Sequence, residues 1–462
     1  MDVVRKRKIF WVICRIAVIV LFAAVVIVTA RVHEPWSDEA QSFLIARDNS
    51  VGEIVDLAKY EGTTPTWFLV IKLFLSLGGS YETFFLLPLI FTVIGLIIFE
   101  FKVKAPWQIK ILLPFTYFIL FQYTIVARSY CMVFPALMWI ASVYNERKKK
   151  RLSYLFAMFF LMSVCSFSFL MAGSLWLIDV LSVIKEKKHN KKDIVSLAII
   201  AVELTAVLLI MLPNPECTYK PVSSVGLFDI IYQSTIGSRY FTMAGSTIVT
   251  FVIIAIIWVA LLKEKDTKRK TVDLLVLFVP VLMEVFLIAP QIWHIGNITL
   301  LMFAVFMMNG MINDNKIIKI LMIVICLFQI GWSAVTIGYD FNNNYSASKD
   351  VAVFIKQNNY EDKNIYGLGF DSTALQPYFE HNIFKNMDTK GAWSWKKDSG
   401  RVEDKTLLND GDVFVIDDFR IERYRRLYDE LVKKGYKDHY FEGYMFAKTY
   451  IYESKGYHVL VK

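Results

Sequence analysis

Cysteine is scarce in this chain, and where it falls narrows the reading. Of five cysteines, Cys14, Cys131, Cys165 and Cys326 lie in apolar runs, Cys217 stands alone outside them, and none follows residue 338. Neither a disulfide framework nor a thiolate metal site is implied. A phosphate-binding glycine loop is also missing, and no internal repeat of the kind that builds many transporters is visible. The N-terminal apolar segment lacks a small-residue cleavage site and is too long for a signal peptide, so it is expected to stay as an anchor.

What the chain has in abundance is apolar surface. Hydrophobic residues make up 56% and aromatics 15%, gathered into repeated long runs over the first 338 positions. Such runs have no place in a water-soluble core, and they mark a polytopic, all-α membrane protein. The net charge of +9 does not point to nucleic acid, because the basic residues fall in short clusters between the apolar runs. That pattern marks cytoplasmic loops. The clusters are Arg5 to Lys8, Lys102 with Lys104 and Lys110, residues 147–151, 185–192 and 263–270, and Lys316 with Lys319.

Lysine and arginine are sparse in the intervening loops, around Arg128, at 172–173, at 214–241 and at 290–297, which are therefore expected to face outward. Parity then requires hairpins at 111–146 and 152–184. The expected spans are 9–30, 81–101, 108–125, 130–145, 152–169, 171–184, 194–212, 242–262, 271–289, 297–311 and 316–338, about eleven in all. This puts the N-terminus in the cytoplasm and the C-terminus outside a plasma membrane. Residues 64–77 are apolar but short, opened by Pro65 and interrupted by Lys72, and read as an interfacial or re-entrant helix.

The first outer loop, 31–80, carries more pattern than a connection needs. Trp36, Ala40, Phe43 and Leu44 recur at helical spacing, which predicts an amphipathic helix lying on the bilayer, capped by Ser37 and running to Asp48. Asp38 and Glu39 occupy its first turn. A second helix is expected from the Ser50-x-x-Glu53 capping box to Gly62. Acids in a first turn stabilise a helix by ~0.3–1 kcal/mol whether or not they do chemistry.

Within the run His33-Glu34-Pro35-Trp36-Ser37-Asp38-Glu39-Ala40-Gln41, the residues Asp38-Glu39-Ala40, with Leu44-Ile45-Ala46-Arg47 and Glu61-Gly62-Thr63-Thr64-Pro65, resemble the GT-C glycosyltransferases of the family 39 type. That group includes protein O-mannosyltransferases and bacterial lipid A aminoarabinose transferases. The likeness covers roughly residues 1–338 and extends to Ala127-Arg128-Ser129-Tyr130. Family members commonly carry a second proline and a lysine or histidine near Pro65, where this chain has Thr64-Pro65-Thr66, so one carrier-phosphate contact is left unassigned.

The resemblance implies a bacterial, inverting enzyme that moves a sugar from an undecaprenyl-phosphate-type donor to an extracytoplasmic glycan, lipid or protein. A carboxylate at the membrane surface can take the acceptor proton, and Asp38 is assigned that role with Glu39 beside it. The leaving phosphate needs positive charge rather than an acid, and the outward candidates are Arg128, His294 in its polar loop, Arg239, Lys220 and Lys72. Trp36, Tyr130, Trp393 and Trp395 are candidate acceptor or glycan contacts. No metal ligand and no cofactor is assigned, and a divalent metal is left open because related subgroups differ.

Asp179, Glu203 and Glu284 within expected spans would suit a transporter or flippase of lipid-linked sugars. A non-catalytic envelope-assembly subunit is the third reading. Residues 345–462 are charged, lack membrane-length runs and are expected to form a small extracytoplasmic α/β domain with a mixed sheet. Helices are predicted at 348–357 and 421–434, and strands at 364–369, 412–417, 444–452 and 458–461. Asp417-Asp418 reads as a strand-end acid pair rather than a nucleotide-sugar metal motif.

Overall fold

The computed structural model describes residues 2–185, 190–218, 227–237, 243–262, 292–387, 390–397, 399, 401–403, 412–448 and 451–462. Among these, four helices are long and apolar enough to cross a membrane: Arg5–Ala30, Ser166–Ile184, Lys191–Met211 and Lys316–Asp340. Shorter apolar helices, including Leu86–Lys102, Val133–Val143, Arg151–Met162, Gly245–Ala260 and Trp293–Met308, pack among them. The expected span 271–289 and the basic cluster 263–270 lie outside the described residues.

Two expectations about the spans need correction. Residues 108–125 do not form one helix: Trp107–Leu112 passes into a 3-10 turn at Leu113–Phe115, and a π-helical stretch then runs over Phe118–Ile125. Pro114 supplies the break, since its ring removes an amide donor and crowds the preceding turn. In the next hairpin the second helix is the long one, Ser166–Lys185, and the first is short.

The three helices of the first loop lie where the pattern places them, at Ser37–Asp48, Val51–Glu61 and Thr66–Ser76. Ser50 and Glu53 form their reciprocal cap, and Gly62 ends the second helix in the left-handed region at φ +63°. The first helix, however, does not lie on a bilayer with one wet face. Glu39, Ala40, Gln41 and Phe43 to Ala46 are all buried, between Thr66–Ser76 on one side and the 3-10 segment Phe370–Tyr378 on the other. Phe43 meets Tyr81 and Phe84 edge-on at 4.9 and 5.6 Å. Burying side chains of this size is worth ~1.5–3 kcal/mol each, which outweighs any preference for the interface.

The cover comes from the C-terminal residues. Strands β1 (Ile365–Leu368), β2 (Val413–Asp417), β3 (Lys437–Phe441) and β6 (Tyr457–Val461) form one mixed sheet in the order β1-β2-β6-β3, with β1 and β2 parallel. A separate hairpin pairs β4 (Tyr444–Lys448) with β5 (Ile451–Ser454). Alternation along the strands serves two cores. Val413, Val415 and Val459 face helix Ser348–Gln357, while Phe414, Ile416 and Leu460 face helix Ile421–Lys433. β3 was not anticipated, because Lys437-Asp438-His439-Tyr440-Phe441 is an edge strand with little apolar alternation.

Gly369 ends β1 at φ +89°, and the Asp417 carboxylate occupies the place a Cβ would take. That close approach turns the chain into Phe370–Tyr378 and onto the buried helix.

Candidate active site

Successive residues of an α-helix point about 100° apart, so the two first-turn acids of Ser37–Asp48 face different surroundings. Asp38 keeps about a fifth of its side chain exposed (22%) and forms an ion pair with the Arg128 guanidinium. Glu39 turns inward and is 1% exposed. Its Oε1 accepts the Ala127 amide at 2.6 Å, and its Oε2 accepts the Trp36 amide at 3.2 Å. Trp36 is therefore the N-cap residue, and Ser37 is not. The Ser37 hydroxyl donates instead to Asp371, a carboxylate delivered by the C-terminal cover.

Arg128 leaves the π-helical stretch at Val126 with extended backbone, directly after the residue that Glu39 holds. Its guanidinium lies over the rings of Trp36 at 5.9 Å and Tyr130 at 5.3 Å. Tyr130 lies 5.8 Å from the His294 ring, and Trp293 meets Trp36 edge-on at 5.4 Å. Trp36, Asp38, Glu39, Arg128, Tyr130 and His294 thus come together from three separate stretches of sequence. His294 does not sit in a polar loop as expected. It lies in the first turn of Ile292–Met308, because Gly296 lets that turn pack tightly on Phe118 and Tyr123.

Other candidates fall elsewhere. The Lys72 ammonium donates to the carbonyls of Ala46 at 3.1 Å and Asn49 at 2.6 Å, closing the C-terminal end of the buried helix. Arg239 and Lys220 lie outside the described residues. Trp393 is 5% exposed and is no open stacking platform: its ring is covered by Arg401 at 3.5 Å and packs with Phe370 and Trp395. Its backbone makes a reciprocal pair with the Gln41 amide, 2.8 Å to Oε1 and 2.7 Å from Nε2. Trp395 is held by its carbonyl, which accepts the Thr218 amide at 2.8 Å.

Asp417 serves structure, accepting the amides of Arg420 at 2.8 Å and Asp371 at 3.3 Å. Burial, together with the Asp371 charge, pushes its carboxyl up to about 7. Asp179 is tied to Arg147 at 2.8 Å and Tyr154 at 2.7 Å, as a packing ion pair rather than an open pathway. Glu284 lies outside the described residues. Among the described residues, no three His, Cys, Asp or Glu side chains group in a way that could hold a metal ion.

Several residues of the site have no role assigned from the sequence, although His33, Glu34 and Glu61 stand in the runs quoted above. Glu61 accepts from Gln41 at 2.8 Å, and burial, reinforced by the Asp38 charge, raises its carboxyl to about 7. Lys455 pairs with Asp371 at 2.8 Å and places its ammonium 5.0 Å from the Trp36 ring. Beside Glu39 lies a cavity of about 500 Å³, walled in part by His33, Glu34, Tyr81, Lys349 and Lys356. Burial, with Asp350 nearby, lifts Glu34 to about 8. For Lys349, Lys356 and Lys455 the sequence offers only a composition cue, whereas Glu61, His33 and Glu34 lie in the runs already singled out.

No family model matches the chain, and no curated protein matches it in sequence. Two solved structures match in fold over nearly the whole length. One is ArnT from Cupriavidus metallidurans in the apo state, 11% identical, covering 98% of each chain with a TM-score of 0.61. The other is ArnT from the same organism bound to undecaprenyl phosphate, 11% identical, covering 97% of each chain with a TM-score of 0.54. The chain therefore shares the fold of these two ArnT structures over nearly its whole length.

Proposed function

We propose that this protein transfers a sugar from a polyprenyl-phosphate donor, of the undecaprenyl-phosphate type, to an acceptor hydroxyl outside the bacterial plasma membrane. The observation that carries the reading is the Asp38–Arg128 pair at the start of a buried helix, in a fold shared with an ArnT structure that binds undecaprenyl phosphate. At rest the guanidinium neutralises Asp38. When the donor phosphate arrives, it competes for that guanidinium with two or more charge-assisted hydrogen bonds. Asp38 is then released to take the acceptor proton.

The acceptor oxygen attacks the anomeric carbon as its proton passes to Asp38, and the bond from that carbon to the phosphate oxygen breaks. Attack opposite the leaving group inverts the configuration. Charge gathering on the departing phosphate is met by Arg128, and a phosphate needs no protonation to leave. Tyr130, His294 and Trp36 shape the wall around the guanidinium. In this reading residues 1–338 form the catalytic membrane domain and 345–462 an extracytoplasmic α/β domain, with the N-terminus in the cytoplasm. The acceptor is a glycan, lipid or protein of the envelope.

The test is twofold. Full-length protein in lipid nanodiscs should bind undecaprenyl phosphate, and envelope glycans from cells with and without the gene should differ by one sugar substituent. Restoring the gene with Asp38→Asn should not restore that substituent. Identical glycans in all three strains, with no binding by the purified protein, would sink the reading.

A further inference from the structure

His33 is not one of the reacting pair, yet it connects that pair to the far end of the membrane domain. It follows the first long helix by three residues, is 7% exposed and lies between two buried carboxylates. Nδ1 stands 2.8 Å from Oδ2 of Asp340, the last residue of Lys316–Asp340, and Nε2 stands 3.6 Å from Oε2 of Glu39. The ring plane is set by Tyr345 at 4.6 Å and by Phe121, edge-on, at 5.8 Å. A histidine can donate from both nitrogens only as the imidazolium. Burial alone would push His33 down, but the charge and hydrogen bond of Asp340, with the Glu39 carboxylate close by, prevail and raise it to about 10. The other titratable groups beside it are Glu34 in the chain and Tyr345 against its face.

Glu39 occupies the next link. One of its oxygens faces His33 and the Trp36 amide, and the other holds the Ala127 amide, one residue before Arg128. We propose that His33 is a positioning residue for the transfer reaction: clamped by Asp340, it keeps the Glu39 carboxylate turned onto Ala127 and so sets the Arg128 guanidinium opposite Asp38. What Arg128 then does to a phosphate rests on the function proposed above; the geometry of the chain from Asp340 to Arg128 does not. The arrangement makes the end of the last apolar helix part of the active site, although it touches neither substrate nor reacting atom.

A buried ion cluster can also act only as architecture, so the experiment has to separate the two roles. Undecaprenyl phosphate binding is measured in nanodiscs for the full-length wild type, His33→Gln, Arg128→Ala and the double variant, with folding checked by thermal unfolding. His33→Gln is expected to bind about tenfold more weakly, and to add nothing once Arg128 is already alanine, as coupled residues do. Asp340→Asn, a milder change that keeps a hydrogen-bonding oxygen, should show the same pattern with a smaller loss. Losses that multiply in the double variant, or unchanged binding in a folded His33→Gln protein, would overturn the proposal. Should the wild type not bind the lipid at all, the donor assignment fails instead, and the positioning role is decided by the Ala127 amide signal in alanine-labelled protein. That signal should move in His33→Gln; an unmoved signal refutes the positioning role.

Discussion

Converting Asp38 and Glu39 separately to their amides should divide chemistry from architecture. In Glu39→Gln one acceptor oxygen is replaced by a donor. Whichever way the amide turns, it points N–H at N–H, facing either Ala127 or the pair formed by Trp36 and His33. A buried amide left unpaired costs ~1–3 kcal/mol. Removing one partner of a buried ionic contact costs ~3–5 kcal/mol. Because these penalties overlap at one site, the expected loss is about 3–5 kcal/mol, a large part of a typical stability of ~5–15 kcal/mol.

Asp38 is different. It is partly exposed, its asparagine replacement still offers an oxygen to Arg128, and the loss should be about 1 kcal/mol or less. Its effect falls on rate, where losing a general base costs on the order of 100-fold or more. Both variants are compared by denaturant unfolding in nanodiscs and by envelope-glycan analysis of complemented cells. Asp38→Asn should unfold like the wild type and fail to transfer. Glu39→Gln should unfold early, while its folded fraction retains more transfer than Asp38→Asn. Wild-type unfolding of Glu39→Gln together with normal turnover of Asp38→Asn would refute the division of roles.

Arg128→Ala should weaken undecaprenyl phosphate binding strongly, and Arg128→Lys should recover only part of it; equal affinity in Arg128→Ala and the wild type would leave the arginine a packing role alone. Gln41→Ala strips partners from both backbone groups of Trp393 and from Glu61, and should lower stability by about 2–4 kcal/mol, read as the unfolding midpoint. The stability contributed by Glu61, Glu34 and His33 should fall as pH rises from about 5 to 10. Glu61 (about 7), Glu34 (about 8) and His33 (about 10) each hold a proton more tightly folded than unfolded, so each contribution is full below the unfolded value and lost through the folded one. Glu61→Gln should therefore gain stability relative to the wild type as pH rises from 5 to 7, and a difference between the two that does not change over this range would contradict it. In a cysteine-free background, cysteines at Val51 and Val432 should react with an impermeant reagent on intact cells, and one at Lys149 only after permeabilisation.

Local pattern was legible in the sequence and distant contact was not. The helix from residue 37 to 48, the Ser50–Glu53 box, the stop at Gly62 and the strands ending at Asp417 all rest on neighbours within a few positions. Charge counting predicts Asp38 and Arg128 on one side of the membrane, and the two are in contact in the structure. What failed depended on partners outside the local segment, some of them hundreds of residues away. Ser37 looks like a cap until Asp371 takes its hydroxyl, and Trp393 looks exposed until Gln41 and Arg401 cover it. Lys72 looks like a cation free to bind phosphate, but its reach ends on two carbonyls of a helix terminus. The π-helical stretch before Arg128 has no periodic signature short enough to separate from an ordinary apolar helix.

The two adjacent acids have a physical reason to occur together. The base proposed at Asp38 has to stay near water and substrate, so it cannot be fixed by burial, and its partner Arg128 sits on extended backbone at the end of an irregular helix. Something rigid has to hold that backbone in place. The neighbouring residue, rotated by about 100° on the same helix, is the nearest group able to turn away from solvent while staying in register with Asp38. Glu39 does this by pinning Ala127, so that any shift of the helix moves base and guanidinium together. Arginine suits the other side of the pair because its flat cation can rest on the Trp36 and Tyr130 rings while its edge faces a carboxylate or a phosphate. A lysine there would keep the charge and lose the orientation, which is why Arg128→Lys is expected to recover affinity only in part.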